Sequence, residues 1–178
     1  MMDTWLLLIY TVPSEPSRKR ATVWREVKKM GAVYLHDGVC ILPERPDTTR
    51  SFHFLAARIV EFEGQATVVK GATLEQARAE AVVAQCRAAR AAEYAEIARD
   101  TDGFLEHVRR ETEHREFTFA ELEELEEDLV KLKHWSEQVG SRDYFGAPEA
   151  ERLKSVLMRC DEALALFLER AAQHGESG

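Results

Sequence analysis

The feature that most constrains this chain is the regular switching of hydrophobic period across residues 1–73, with a glycine or proline at each switch. Trp5 to Val12 is an apolar run rich in aromatic and aliphatic residues that stops at Pro13, as a buried strand does. Ser14-Glu15-Pro16-Ser17 then supplies helix-start chemistry, capping hydroxyls and a proline tolerated in the first turn. Val23, Trp24, Val27 and Met30 recur at helical spacing before Gly31, a natural C-terminal stop. Ala32–Leu35 and Val39–Leu42 are short apolar runs joined by His36-Asp37-Gly38, and Asp-Gly between two such runs is a strong hairpin signal. Beyond Pro43 and Pro46, Asp47 is placed to cap a second helix with apolar positions Phe52, Leu55, Ala56, Ile59 and Phe62. Gly64 ends that helix, and Gln65–Lys70 reads as a fourth strand closed by Gly71. The order βαββαβ is the ferredoxin-like pattern, two helices over a four-stranded antiparallel sheet.

From Thr73 onward the periodicity is helical throughout. Thr73 with Gln76 forms a capping-box pair ahead of an Ala-rich helix to about Arg99, with a break expected at Asp100-Thr101-Asp102-Gly103. Thr118 with Glu121 opens a helix carrying Leu122, Leu125, Leu129 and Leu132 and ending at Gly140. Pro148 starts a last helix with Leu153, Val156, Leu157, Cys160, Leu164, Phe167 and Leu168 on its apolar side, and the tail from Gln173 to Gly178 is expected to fray. The fold class is therefore α+β, a ferredoxin-like domain over 1–73 followed by a helical domain over 74–178.

At 45% hydrophobic and 31% charged residues, the composition is that of a globular protein and not of a disordered one. No apolar run approaches the ~20 residues of a membrane span, and no signal peptide is recognisable, which points to the cytoplasm. Cys40, Cys86 and Cys160 fit no disulfide framework or zinc-ligand spacing. The net charge of −8 conceals an asymmetry. Residues 1–73 hold 10 Lys/Arg against 8 Asp/Glu, residues 74–178 hold 14 against 24, and six of the ten N-terminal bases lie between Arg18 and Lys29. Such a concentration offers a local anion site on an otherwise acidic chain.

At 100° per residue, Arg18, Arg25 and Lys29 fall within about 40° of one another, opposite Val23, Val27 and Met30. Lys19 and Lys28 flank this row, and Arg20 turns nearer the sheet. A row of cations suits phosphate contacts; the plain alternative is a solvated helix face. The carboxylates Glu121, Glu123, Glu124, Glu126, Glu127 and Asp128 are too dense, without interleaved His or Gly, to suggest a catalytic pair. His134 with Glu137 lacks a third ligand, and His53 borders the apolar face of the second helix. Cys40 lies within a predicted strand as a core thiol. No phosphate loop, nucleophile elbow or HExxH is present, so no cofactor and no enzymatic activity is expected. Some ferredoxin-like chains, such as the small nuclease subunit of CRISPR adaptation, end the first strand in a metal-binding acid. Here it ends Tyr10-Thr11-Val12-Pro13.

Several separated segments resemble the N-terminal domain of ChrB-type chromate-resistance regulators. They are Trp5–Tyr10 with Pro13 and Arg18, Val23–Ala32, Gly38–Pro43, Phe117–Glu124 and Arg142–Gly146. More distantly the chain is similar to the middle domain of PaaX-type repressors. The resemblance implies a cytoplasmic bacterial regulator that binds promoter DNA, with chromate as inducer. It also implies DNA contacts from Arg18, Lys19, Arg20, Arg25, Lys28 and Lys29. Full-length members continue into a second domain associated with the chromate response, so a chain ending at Gly178 corresponds to part of such a protein or to a stand-alone version. DNA binding is thus implied more directly than chromate sensing. The leucine stripes after Thr118 and Pro148, and the second face of the sheet, suggest a homodimer. The competing reading is a protein-interaction or dimerisation module that does not touch nucleic acid.

Overall fold

The computed structural model describes residues 4–176, and Met1–Asp3, Ser177 and Gly178 lie outside the described residues. Elements run β1 (Trp5–Thr11), α1 (Ser17–Lys29), β2 (Val33–His36), β3 (Val39–Pro43), α2 (Pro46–Glu61), β4 (Gln65–Ala72), α3 (Gln76–His114), α4 (Phe119–Gly140) and α5 (Glu149–Glu176). The four strands form one antiparallel sheet in the order β2-β3-β1-β4, the ferredoxin-like arrangement that the sequence predicts. The chain divides into two compact units, 1–87 and 88–178.

In the first unit β1 is central, and strand alternation assigns its side chains to two faces. Leu6 and Leu8 share a face with their register partners Leu42 and Cys40, and all four are buried beneath the two helices. Val23 and Val27 of α1 and Phe52, Leu55 and Ile59 of α2 complete this core. On the opposite face Trp5 and Ile41 are also buried, while Ile9 is exposed. Trp5 shares a groove with Leu74, Ala79 and Val83, so the opening of α3 covers part of the second face within the same chain.

Two close backbone approaches lock the topology. Gly38 in the β2–β3 turn has φ +71°, its carbonyl accepts the Tyr10 N–H at 2.7 Å, and a Cβ there would stand 2.4 Å from the Tyr10 carbonyl oxygen. Gly64, between α2 and β4, is equally tight: a Cβ would meet the Thr11 oxygen at 2.3 Å. The start of α2 departs from expectation. It opens at Pro46, and Thr48 rather than Asp47 serves the entry, its hydroxyl accepting the Arg45 N–H at 2.9 Å and donating to the Pro43 carbonyl at 2.7 Å.

Trp24 also departs from expectation. Grouped with the apolar positions in sequence, it is 53% exposed, because it sits 100° around the helix from Val23 and only Val23 and Val27 reach the core. At α1 no capping hydroxyl acts; the N-cap is Pro16.

In the second unit the residues of α3 beyond Arg87 join α4 and α5 around one core, with Ile97, Phe104, Leu125, Leu129, Leu153, Cys160 and Phe167 at its centre. The expected break at Asp100–Gly103 does not occur. Ile97, Thr101, Phe104 and Val108 keep one buried stripe running through it, and the Thr101 hydroxyl is satisfied by the Ala98 carbonyl at 2.7 Å. Nor does Thr73 cap α3, which begins only at Gln76. The segment Arg142–Gly146 secures the α4–α5 connection: Arg142 pairs with Glu93 at 3.0 Å, and Asp143 accepts from the Tyr94 hydroxyl and the Ala147 N–H. Residues Gln173–Glu176, expected to fray, continue α5.

Gly38→Ala should lower stability by about 2 kcal/mol or more in chemical denaturation, from left-handed strain and the Tyr10 clash together. Trp24→Ala should change it by less than about 1 kcal/mol, because the ring is half in solvent. Phe52→Ala, which empties core volume, should cost about 3–5 kcal/mol. The contrast between the last two checks the rotation of α1.

Candidate nucleic-acid interface

With its two valines against the sheet, α1 presents Arg18, Arg25, Lys28 and Lys29 to solvent, all on exposed residues. Arg18 has no ion-pair partner among the described residues. Arg25 makes a long intrahelical hydrogen bond to the Thr22 hydroxyl, 3.4 Å. Lys29 lies 3.5 Å from Glu26 yet its side chain is 72% exposed, a contact of the kind that is worth little and breaks readily. Lys28 stands over the Trp24 ring, 5.8 Å from its centroid. Trp24 thus belongs to the same exposed surface as the cations, a large flat side chain that sequence periodicity had placed in the core.

The six basic positions are not equivalent. Lys19 is tied down, its ammonium donating to Glu63 at 2.8 Å and to the Phe62 carbonyl at 3.3 Å at the end of α2. That hydrogen bond and charge hold the Glu63 carboxyl below the usual carboxylate range. Arg20 is exposed, and its positive charge reaches the Tyr10 hydroxyl at the sheet side of the helix. There Tyr10 and Tyr34 hydrogen-bond hydroxyl to hydroxyl at 2.8 Å, and burial raises both pKa values. The free row therefore consists of Arg18, Arg25, Lys28 and Lys29, with Arg20 at one edge and Lys19 committed to α2.

The other residues weighed from sequence are dispersed. Cys40 is fully buried, its thiol directed at the Leu8 carbonyl (3.7 Å) and pushed up to about 12 by burial, so it is an inert core group. His53 is exposed and not packed. His134 engages Gln138 at 2.9 Å on the surface of α4. Glu123, Glu124, Glu126 and Glu127 are solvated as expected, but Glu121 and Asp128 are partly enclosed. Both lie near His107, a residue the sequence reading passed over, and the groups of three potential metal donors among the described residues all include it. Its i, i+4 spacing to Glu111 was the available signal.

The family described as the N-terminal part of protein ChrB matches residues 20–177. Protein ChrB of Cupriavidus metallidurans is 34% identical over 61 residues, which take in 34% of this chain and 19% of that protein's length. No solved structure matches. No helix among the described residues is long and apolar enough to cross a membrane. With a match running from the first turn of α1 through the whole of α5, the chain belongs to the ChrB N-terminal family.

Proposed function

We propose that this chain is the DNA-binding part of a cytoplasmic regulator of chromate-resistance genes, acting by binding promoter DNA and not by catalysis, with chromate as the inducer. The observation that carries the proposal is the exposed row Arg18, Arg25, Lys28 and Lys29 on a helix anchored from its opposite side. Phosphate recognition needs cations that are free, rigidly placed and on one face, and three of the four come from a single helix stripe. Family membership supports the link to chromate resistance. Pairing of half-sites favours a homodimer.

A second reading keeps the family and removes the DNA. Phe119, Val130, Met158 and Leu166 are large apolar residues exposed on the second unit, which favours a protein-interaction or dimerisation module. Fluorescence anisotropy with the protein's own promoter separates the two. Under the DNA-binding reading, Arg25→Ala weakens binding to specific and unrelated duplexes alike and lowers the logarithmic salt slope by about one. Lys19→Ala should have the smaller effect, because its ammonium already serves Glu63. If the Arg18, Arg25 and Lys29 triple alanine variant stays folded and binds with unchanged affinity and salt slope, the stripe is a solvated face and the interaction-module reading replaces this one.

A further inference from the structure

His107 draws carboxylates from two helices of the second unit. Glu111 follows it by one turn on α3, and Glu121 comes from the first turn of α4. The His107 Nε2 lies 3.6 Å from Glu111 Oε1 and 3.4 Å from Glu121 Oε2. Both separations exceed the range of an N–H···O hydrogen bond, about 2.7–3.2 Å. They suit donors that share an ion: with metal–donor bonds of about 2.0–2.1 Å, neighbouring corners of a tetrahedron stand about 3.4 Å apart. The three donor atoms all lie within 4.8 Å of one another.

The surroundings point the same way. Glu121 Oε2 is enclosed by protein and makes no hydrogen bond, although it is an anionic acceptor. Glu121 occupies the position from which a capping-box carboxylate reaches back to the N-cap amide, yet this oxygen lies beside His107. The Thr118 hydroxyl still accepts the Glu121 N–H at 3.2 Å, which fixes the backbone that carries the carboxylate. The Glu111 side chain is only 6% exposed, with Arg110 at 2.9 Å from Oε1 as a partial counter-charge. Glu124 and Asp128, one turn apart on α4, form a second set within the same reach of His107, and a carboxylate beside a metal-binding imidazole commonly orients the ring. His107 and Asp128 also line a groove of about 440 Å³ with Arg99, Asp100, Lys131 and Trp135, so the imidazole borders open space.

We propose that His107, Glu111 and Glu121 form a binding site for a first-row divalent cation, with water completing its coordination. One imidazole and two carboxylates, with the imidazole nitrogen about one tetrahedral edge from an oxygen of each, fit zinc. Bound there, the ion would cross-link α3 to the start of α4. The proposal does not depend on the DNA-binding reading, because no residue of α1 takes part.

The test is calorimetric titration of the metal-stripped full chain with Zn²⁺, and with Co²⁺ as a spectroscopic probe. The expected result is about one equivalent bound per chain and the visible absorption of tetrahedral cobalt. Zn²⁺ should also raise the melting temperature, as a ligand of the folded state does. Glu121→Gln, which preserves shape and removes one anionic donor, should weaken binding by about tenfold or more and abolish the thermal shift, with an unchanged circular-dichroism spectrum. His134→Ala should leave binding intact. Absence of saturable binding, or binding that survives both Glu121→Gln and His107→Ala, would overturn the site; the first variant decides the matter if the second fails to fold. In either case the cluster is then a histidine packed between two glutamates that holds no metal.

Discussion

Two valines one turn apart, Val23 and Val27, set the rotation of α1 on the sheet, and the exposed surface follows from that rotation. They are the fully buried residues of a 13-residue helix otherwise dominated by polar side chains. Burying each is worth roughly 1.5–3 kcal/mol, more than any alternative face of this helix can offer. With them fixed, 100° per residue leaves no freedom for the rest. Arg18, Arg25 and Lys29 must point away from the sheet, Lys28 must flank them, and Lys19 must lean toward the end of α2, where Glu63 receives it. The cationic row is thus a geometric consequence of where the hydrophobic contacts are.

The sheet domain was legible because its punctuation is unusually complete. Gly31, Gly38, Gly64 and the prolines at 13, 43 and 46 each mark a change of hydrophobic period, and two of those glycines are positions where a Cβ would strike a backbone oxygen. What the sequence misplaced had a common cause. Trp24 was grouped by hydrophobicity and spacing, but a position 100° from the anchoring valine lies at the edge of the buried arc, where burial depends on what stands opposite. Asp100-Thr101-Asp102-Gly103 is poor helix-forming sequence. The buried stripe Ile97, Thr101, Phe104 and Val108 runs through it all the same, an example of tertiary packing overriding local propensity.

The His107 cluster shows a different limit. Its i, i+4 partner Glu111 was readable, but Glu121 comes from another helix, and in sequence it is one carboxylate among many between residues 121 and 128. Only packing separates it from its neighbours. Glu123, Glu124, Glu126 and Glu127 remain in solvent, while the helical phase of Leu125 and Leu129 turns Glu121 inward at the first turn. The same capping residue, Thr118, that sequence identified as a helix start therefore also fixes the position of a partly enclosed carboxylate.

Trp24 deserves its place beside the cations on energetic grounds. A half-exposed indole gives up part of the burial energy such a side chain ordinarily gains, and its contact with Lys28 returns only about 0.5–1 kcal/mol at an exposed site. A folded chain therefore has little internal reason to keep it there. A surface that joins a rigid aromatic to several unpaired cations suits an anionic partner with flat or apolar parts, which phosphodiester chains supply through sugars and bases. A protein partner would have to bring a strongly acidic patch together with an apolar pocket for the indole. Trp24 beside the arginine and lysine row is accordingly a second feature of α1, independent of charge, that supports the proposed contact with nucleic acid.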